Sequence, residues 1–212
     1  MVSRQTPSQT VGPFFHYGLT WKGGADLTGN SDLGARPELA PPEHYVLAEH
    51  GFTGRDTIKG ERIEIVGRLI DGDGLPVPDA LIEIWQADAA GRYPHPDDPE
   101  HRAADPAFIG FGRSATQEDG SFRFLTIRPG RVAGPGNSLQ APHIAVGIMA
   151  RGLLKRLTTR LYFADAPENA EDPILALVPP ERRDTLIAKG EGDAWRFDIV
   201  LQGVRETVFL DC

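Results

Sequence analysis

The stretch GRLIDGDGLPVPDALIEIWQADAAGRY, Gly67–Tyr93, runs through a strand, a tight turn, a second strand and a polar loop. Its start belongs to a run from Glu61 in which Ile63, Ile65, Gly67 and Leu69 recur at every second position, with Glu64 and Arg68 between them. Period two marks a half-buried strand, because successive side chains point to opposite faces of a sheet. Asp71-Gly72-Asp73-Gly74 has turn composition. Its acidic pair suggests a calcium loop, but such a loop closes with a glutamate at its twelfth position, and Ile82 stands there. The segment is therefore read as a plain turn. Ala80 to Ala87 forms the second strand, and Trp85 is large enough to anchor the core beneath the loop that delivers Tyr93.

The same pattern extends downstream. Phe111 to Thr116 and Ser121 to Ile127 flank Gln117-Glu118-Asp119-Gly120, which predicts a hairpin. His143 to Ala150 and Leu157 to Ala164 continue the series. Trp195, Phe197, Ile199 and Leu201 alternate in a late strand, and Glu206 to Leu210 follows as another. The one helical candidate, Glu181 to Lys189, begins after Pro179-Pro180 and stops at Gly190. Many short strands with almost no helix predict an all-β chain, a β-sandwich with function on its loops and edges. Residues 1–60 carry little periodicity and much punctuation, as at Gly12-Pro13, Gly23-Gly24 and Pro41-Pro42. They are expected to form a long irregular arm packed against a partner, ahead of a sandwich domain over 61–212 in one folding unit.

Composition agrees with that reading. The 212 residues include 24 glycines and 18 prolines, high for a helical protein but below the roughly 25–30% typical of unperiodic low-complexity chains. The net charge of −8 argues against a general binder of nucleic acid or anionic membrane. The one cysteine, Cys212, allows no intrachain disulfide and no thiolate metal cluster, which suits a reducing cytoplasm. No apolar run approaches the roughly 18 residues of a membrane span, and Met1 to Thr20 lacks the pattern of a signal peptide.

Within Gly67–Tyr93, the residues Gly67, Gly74, Pro76, Val77, Ala80, Glu83, Trp85, Gln86, Gly91 and Tyr93 resemble the signature of the intradiol ring-cleavage dioxygenases in order and spacing. GFGRSATQEDGSFRFLTIRPG from Gly110, APHI from Ala141 and TRLYF from Thr159 are similar to later strands of that family, and TPSQTVGPFFH from Thr6 to its N-terminal arm. The resemblance implies a transthyretin-like (prealbumin-like) sandwich. It also implies a ferric ion held by two tyrosines and two histidines, with a catechol as substrate and dioxygen as co-substrate. Phenolate oxygen suits a hard ferric cation, whose charge favours deprotonation of tyrosine and catechol alike.

This sequence departs from the pattern at two ligand positions. Tyr93 matches the first tyrosine and His143 the first histidine, but Val132 and Ala145 stand at the other two, and neither can coordinate iron. Replacement donors could come from His16, His95 or His101, although the run from His95 to His101 reads as a solvated, proline-stiffened loop. His143 is read as a hydrogen-bonded leftover and Tyr93 as a packed phenol. The departures resemble the two-chain, protocatechuate-cleaving branch of the family, in which a β chain carries Fe3+ and a homologous α chain has lost the ligands. That likeness implies an α/β hetero-oligomer, with no metal expected here. It implies that Thr10, Gly12, Pro13 and Phe14 wall the partner's pocket and that Arg151 meets the substrate carboxylate, for which a guanidinium offers paired donors. Two other readings fit the same residues: a self-sufficient homo-oligomeric enzyme with unusual ligands, and a non-enzymatic transthyretin-like scaffold.

Overall fold

The computed structural model describes residues 10–12, 24–29, 31, 33–34 and 57–211. Eleven strands run through them: β1 Arg62–Ile70, β2 Leu81–Trp85, β3 Phe111–Ala115, β4 Ser121–Ile127, β5 Val132–Ala133, β6 Leu139–Gln140, β7 His143–Met149, β8 Leu157–Phe163, β9 Ile187–Glu191, β10 Ala194–Arg196 and β11 Ile199–Val200. One half of the sandwich centres on β1, which pairs antiparallel with β4 and parallel with β10 and β11. The other half has the order β3-β2-β7-β8. β9 belongs to both halves: Ile187 and Ala188 pair with Tyr162 and Phe163 of β8, and Lys189 to Glu191 pair with β10. β5 and β6 form a separate two-stranded ribbon.

Alternation in β1 falls as its sequence requires, with Ile63, Ile65, Gly67 and Leu69 buried. The side chains of Ile63, Ile65 and Leu69 share one cluster with Phe122 and Phe124 from β4 and, across the sandwich, Ile82, Ile84, Ile144, Val146, Ile148, Leu161 and Phe163. Gly67 lies where a Cβ would run into the carbonyl oxygen of Phe197 and the ring of Phe122, so only glycine lets these elements approach so closely.

Three expectations shift. β3 and β4 do not form a hairpin ladder. The turn between them is made, with Gly120 N donating to Gln117 O at 2.8 Å, but β3 pairs β2 while β4 crosses to β1. The short helix is a 3₁₀ run over Pro180–Leu186, and Ile187 already begins β9 because its backbone pairs with Tyr162. The late alternation is split into β10 and β11, and residues 206–210 form no strand, although Thr207 N and Leu210 N donate to Val200 O and Thr158 O.

Residues 24–29 are irregular yet packed. Ala25 and Leu27 are buried, Leu27 N and Ala25 O bond the backbone of Leu125, and Gly24 O accepts from Arg113 N. This segment closes the gap between β3 and β4 and covers what would otherwise be open edges. Among the described residues no helix is long and apolar enough to cross a membrane.

Gln86, fully buried just after β2, stitches the halves together. Its Nε2 donates to Ile127 O at 2.8 Å and Ala87 O at 3.2 Å, and its Oε1 accepts from Thr126 Oγ1 at 2.8 Å. Gln86→Met keeps the length and orphans Thr126 Oγ1 and Ile127 O, so urea unfolding should show a loss of about 2 kcal/mol with an unchanged m-value.

Candidate functional site

The loop after β2 is held by one carboxylate. Asp88 is buried, and its Oδ1 accepts from Ala90 N at 2.8 Å and Arg92 N at 3.0 Å while Oδ2 accepts from Asp105 N at 2.8 Å. Its carbonyl accepts from Gly91 N and Gly130 N. Gly91 has φ of 80°, and a Cβ there would overlap the carbonyl oxygen of Arg131, so glycine alone allows this loop to lie on the segment entering β5. Tyr93 emerges from this turn. Its N donates to Asp98 Oδ2 at 2.7 Å and its ring stacks on Trp85, with centroids 5.7 Å apart and planes 18° from parallel. Trp85, Tyr93, His95, Arg131, Val132 and Leu139 are among the walls of a cleft of about 560 Å³.

Behind that cleft lies the outward face of β2, β7 and β8. Strand register sets Trp85, Ala145 and Arg160 in one cross-strand row, and His143 and Tyr162 in the next. A further row places Gly147 beside Glu83, which Arg113 and Arg156 neutralise at 2.8 and 3.3 Å.

His143 is buried, and its Nδ1 lies 2.8 Å from Ala141 O. A carbonyl only accepts, so Nδ1 carries the proton and Nε2 keeps its lone pair. Burial, helped by the nearby charge of Arg160, pushes the imidazole pKa down to about 4. Asp172 fixes this end of β7: its fully buried carboxylate accepts from Ala141 N at 2.8 Å, Tyr162 Oη at 3.1 Å, Ile174 N at 2.9 Å and Leu175 N at 2.7 Å. Burial likewise raises the Tyr162 phenol to about 12. Tyr93 is raised by burial too, against the opposing pull of Arg160, so its phenol keeps its proton at neutral pH.

Tyr93 stacks on Trp85, the cross-strand partner of Ala145, and Tyr93 and His143 both feel the charge of Arg160. Val132 is the cross-strand partner of Gln140, and Ala145 that of Arg160. These residues do not fit a ferric ion. Two of the four positions are hydrocarbon, and the guanidinium of Arg160 acts on both Tyr93 and His143. His95 lies in the cleft wall with Nδ1 3.7 Å from Asp97 Oδ2, and His101 Nδ1 is bonded to Asp98 O at 2.8 Å. Among the described residues no three His, Cys, Asp or Glu side chains gather as a metal site. His16 lies outside the described residues.

Arg151 is not part of this cluster. It sits in the turn after β7, at the end opposite His143, which roughly 3.3 Å per residue over the strand puts about 20 Å away. It is exposed beside a depression of about 690 Å³ lined by Gly72, Pro76, Pro78, Leu153, Leu201 and Gln202 among others. Thr10 and Gly12 are also exposed, whereas Pro13 and Phe14 lie outside the described residues. Sequence reasoning passed over Arg160, Asp88 and Asp172. Arg160 was inside the quoted TRLYF, but only strand register puts it opposite Ala145.

The family model described as dioxygenase matches residues 42–203, and the protocatechuate 3,4-dioxygenase alpha chain of Burkholderia cepacia is 43% identical over 98% of both chains. This chain belongs to the intradiol ring-cleavage dioxygenases. Within the family it is also similar to the beta chain of the Burkholderia cepacia enzyme, at 40% identity over 84% of this chain and 77% of that one. The fold is shared with hydroxyquinol 1,2-dioxygenase from Pseudomonas putida DLL-E4, with a TM-score of 0.57 and 19% identity over 94% of this chain and 67% of the other. An intradiol dioxygenase sandwich therefore underlies the cleft beside Tyr93 and the face that carries His143, Ala145 and Arg160.

Because folded His143 titrates near 4 and an ordinary histidine near 6.5, the unfolded state binds the extra proton between those values. Stability is complete above pH 6.5 and declines as pH falls toward 4, by about 3 kcal/mol in all. In His143→Asn that part of the slope should vanish. Denaturant unfolding of both proteins across this window is the check, and equal slopes would show that His143 is not the group responsible.

Proposed function

We propose that this chain is the iron-free α-type subunit of a protocatechuate 3,4-dioxygenase, acting with a homologous iron-bearing β subunit to cleave 3,4-dihydroxybenzoate with dioxygen to 3-carboxy-cis,cis-muconate. The observation that carries the reading is the hydrocarbon at Val132 and Ala145, inside a chain that aligns almost end to end with an alpha chain. The similarity to a beta chain as well supports a pair of related subunits descended from one sandwich.

In the assembly, Fe3+ in the partner would supply the redox and Lewis-acid chemistry that joins dioxygen to a bound catechol. The residues of this chain bind, orient and enclose. Thr10, Gly12, Pro13 and Phe14 would form part of the wall of the partner's pocket, carried by the part of the 1–60 arm that precedes residues 24–29, which pack on β3 and β4 of this chain. The exposure of Thr10 and Gly12 agrees with a surface completed by another chain. Arg151 would bind and orient the substrate carboxylate. Its exposed guanidinium makes no hydrogen bond or ion pair among the described residues, which leaves its fork available for a bidentate contact. In a chain of net charge −8 an anionic substrate needs such a local cation. A self-sufficient enzyme would need other donors around Tyr93, and His95 and His101 are engaged with their own loop.

Expression of the chain alone and with an iron-bearing β subunit is the direct test. The chain alone should carry no stoichiometric iron and leave protocatechuate intact, while the co-expressed pair should form one complex that consumes both substrate and dioxygen. Stoichiometric ferric iron with tyrosinate colour in the chain alone, or failure to form a complex, would overturn the reading. In the complex, Arg151→Ala should raise KM for protocatechuate roughly tenfold with iron content unchanged. Lost iron at an unchanged KM would show that Arg151 does not meet the substrate.

A further inference from the structure

Arg160 spans the two positions at which this chain lacks a donor. Its Cα is the cross-strand partner of Ala145, and its side chain shares the outward face with that residue. Its Nη1 donates to Gln140 Oε1 at 2.6 Å, and Gln140 is in turn the cross-strand partner of Val132. Gln140 is itself held, because its Nε2 donates to Ala133 O at 2.8 Å. The same Nη1 lies 3.4 Å from Tyr162 Oη, whose proton goes to the buried Asp172. The guanidinium is thus tethered from both sides, between the β5–β6 ribbon and the β7–β8 pair. Its charge is felt by both retained donors, Tyr93 and His143.

We propose that Arg160 is the residue that keeps metal out of this chain's relict ligand cluster, its guanidinium standing as a fixed internal cation among Tyr93, His143, Val132 and Ala145. The proposal rests on reading those four positions as ligand positions of the family. Three physical properties suit arginine to the role. A guanidinium cannot be deprotonated in a protein, so it cannot surrender its charge to make way for a metal as a lysine can. It repels a cation at short range in a partly buried setting, where screening is weak. It also satisfies the polar atoms around it, Gln140 Oε1 and Tyr162 Oη, which water or metal ligands would otherwise have to satisfy. Loss of the two donors alone is then only half of the change, and giving them back is insufficient while Arg160 remains.

The test compares assemblies purified with the iron-bearing β subunit, with iron measured by elemental analysis and by the visible absorption of iron-bound tyrosinate. Unmodified assembly and the double variant Val132→Tyr/Ala145→His should contain the same iron. Adding Arg160→Gln, or Arg160→Met, to the double variant should raise iron by about one ion per α chain and strengthen the visible band. Gln can keep a hydrogen bond to Gln140 or Tyr162, and Met keeps only the bulk, so two neutral replacements guard against a fault particular to one. Extra iron in the double variant with Arg160 in place would overturn the proposal. So would assembled triple variants that both hold no more iron than the unmodified complex. Failure of both triples to assemble would assign Arg160 to the fold and overturn it as well. A failure of the functional reading is separable, since it would appear as an unmodified pair that neither assembles nor consumes protocatechuate.

Discussion

A single buried carboxylate, that of Asp88, holds together the parts on which the site depends. It accepts three backbone N–H groups, from Ala90, Arg92 and Asp105, which leaves a buried charge well satisfied. Those three bonds fold the loop back on itself, and the carbonyl of the same residue receives Gly130 from the segment that leads into Val132. Tyr93 and Val132 therefore share one anchor although 39 positions separate them in the chain. Gln86, two residues earlier, does the corresponding work for the core by joining the end of β2 to Thr126 and Ile127. The short run from Trp85 to Gly91 accordingly fixes sheet-to-sheet spacing and site geometry together.

Much of this was legible in the chain, and the rest was not for identifiable reasons. Alternation at Ile63, Ile65, Gly67 and Leu69 reports directly which face of β1 is buried, because it is a local property of one strand. The turn at Gln117–Gly120 is local too, but the partners of the strands it joins are not. The sharp reversal says nothing about whether β4 returns along β3 or crosses to β1. At Ile187 the pairing with Tyr162 overrides a segment whose composition favours helix. The hydrocarbon at Val132 and Ala145 stood out only against the pattern that the resemblance implied, whereas the position of Arg160 required the register of β7 against β8.

The two candidate regions sit at opposite ends of β7. His143 begins the strand, in a buried cluster sealed by hydrogen bonds, and Arg151 follows its other end on an exposed turn. The two ends of the fold are satisfied in different ways. One end needs only a stable filling, which Arg160, Gln140, Tyr162 and Asp172 provide. The other presents an exposed guanidinium beside an open depression.

The shared strand β9 has a mechanical consequence. Since β9 is bonded to both β8 and β10, the halves are hooped along one side, and on the other side residues 24–29 lash β3 to β4. A sandwich fastened along both margins cannot open like a book. Load applied at the turn that carries Arg151 must travel as shear along hydrogen-bonded ladders. The sandwich can therefore serve as a rigid strut that keeps its two ends in register with one another.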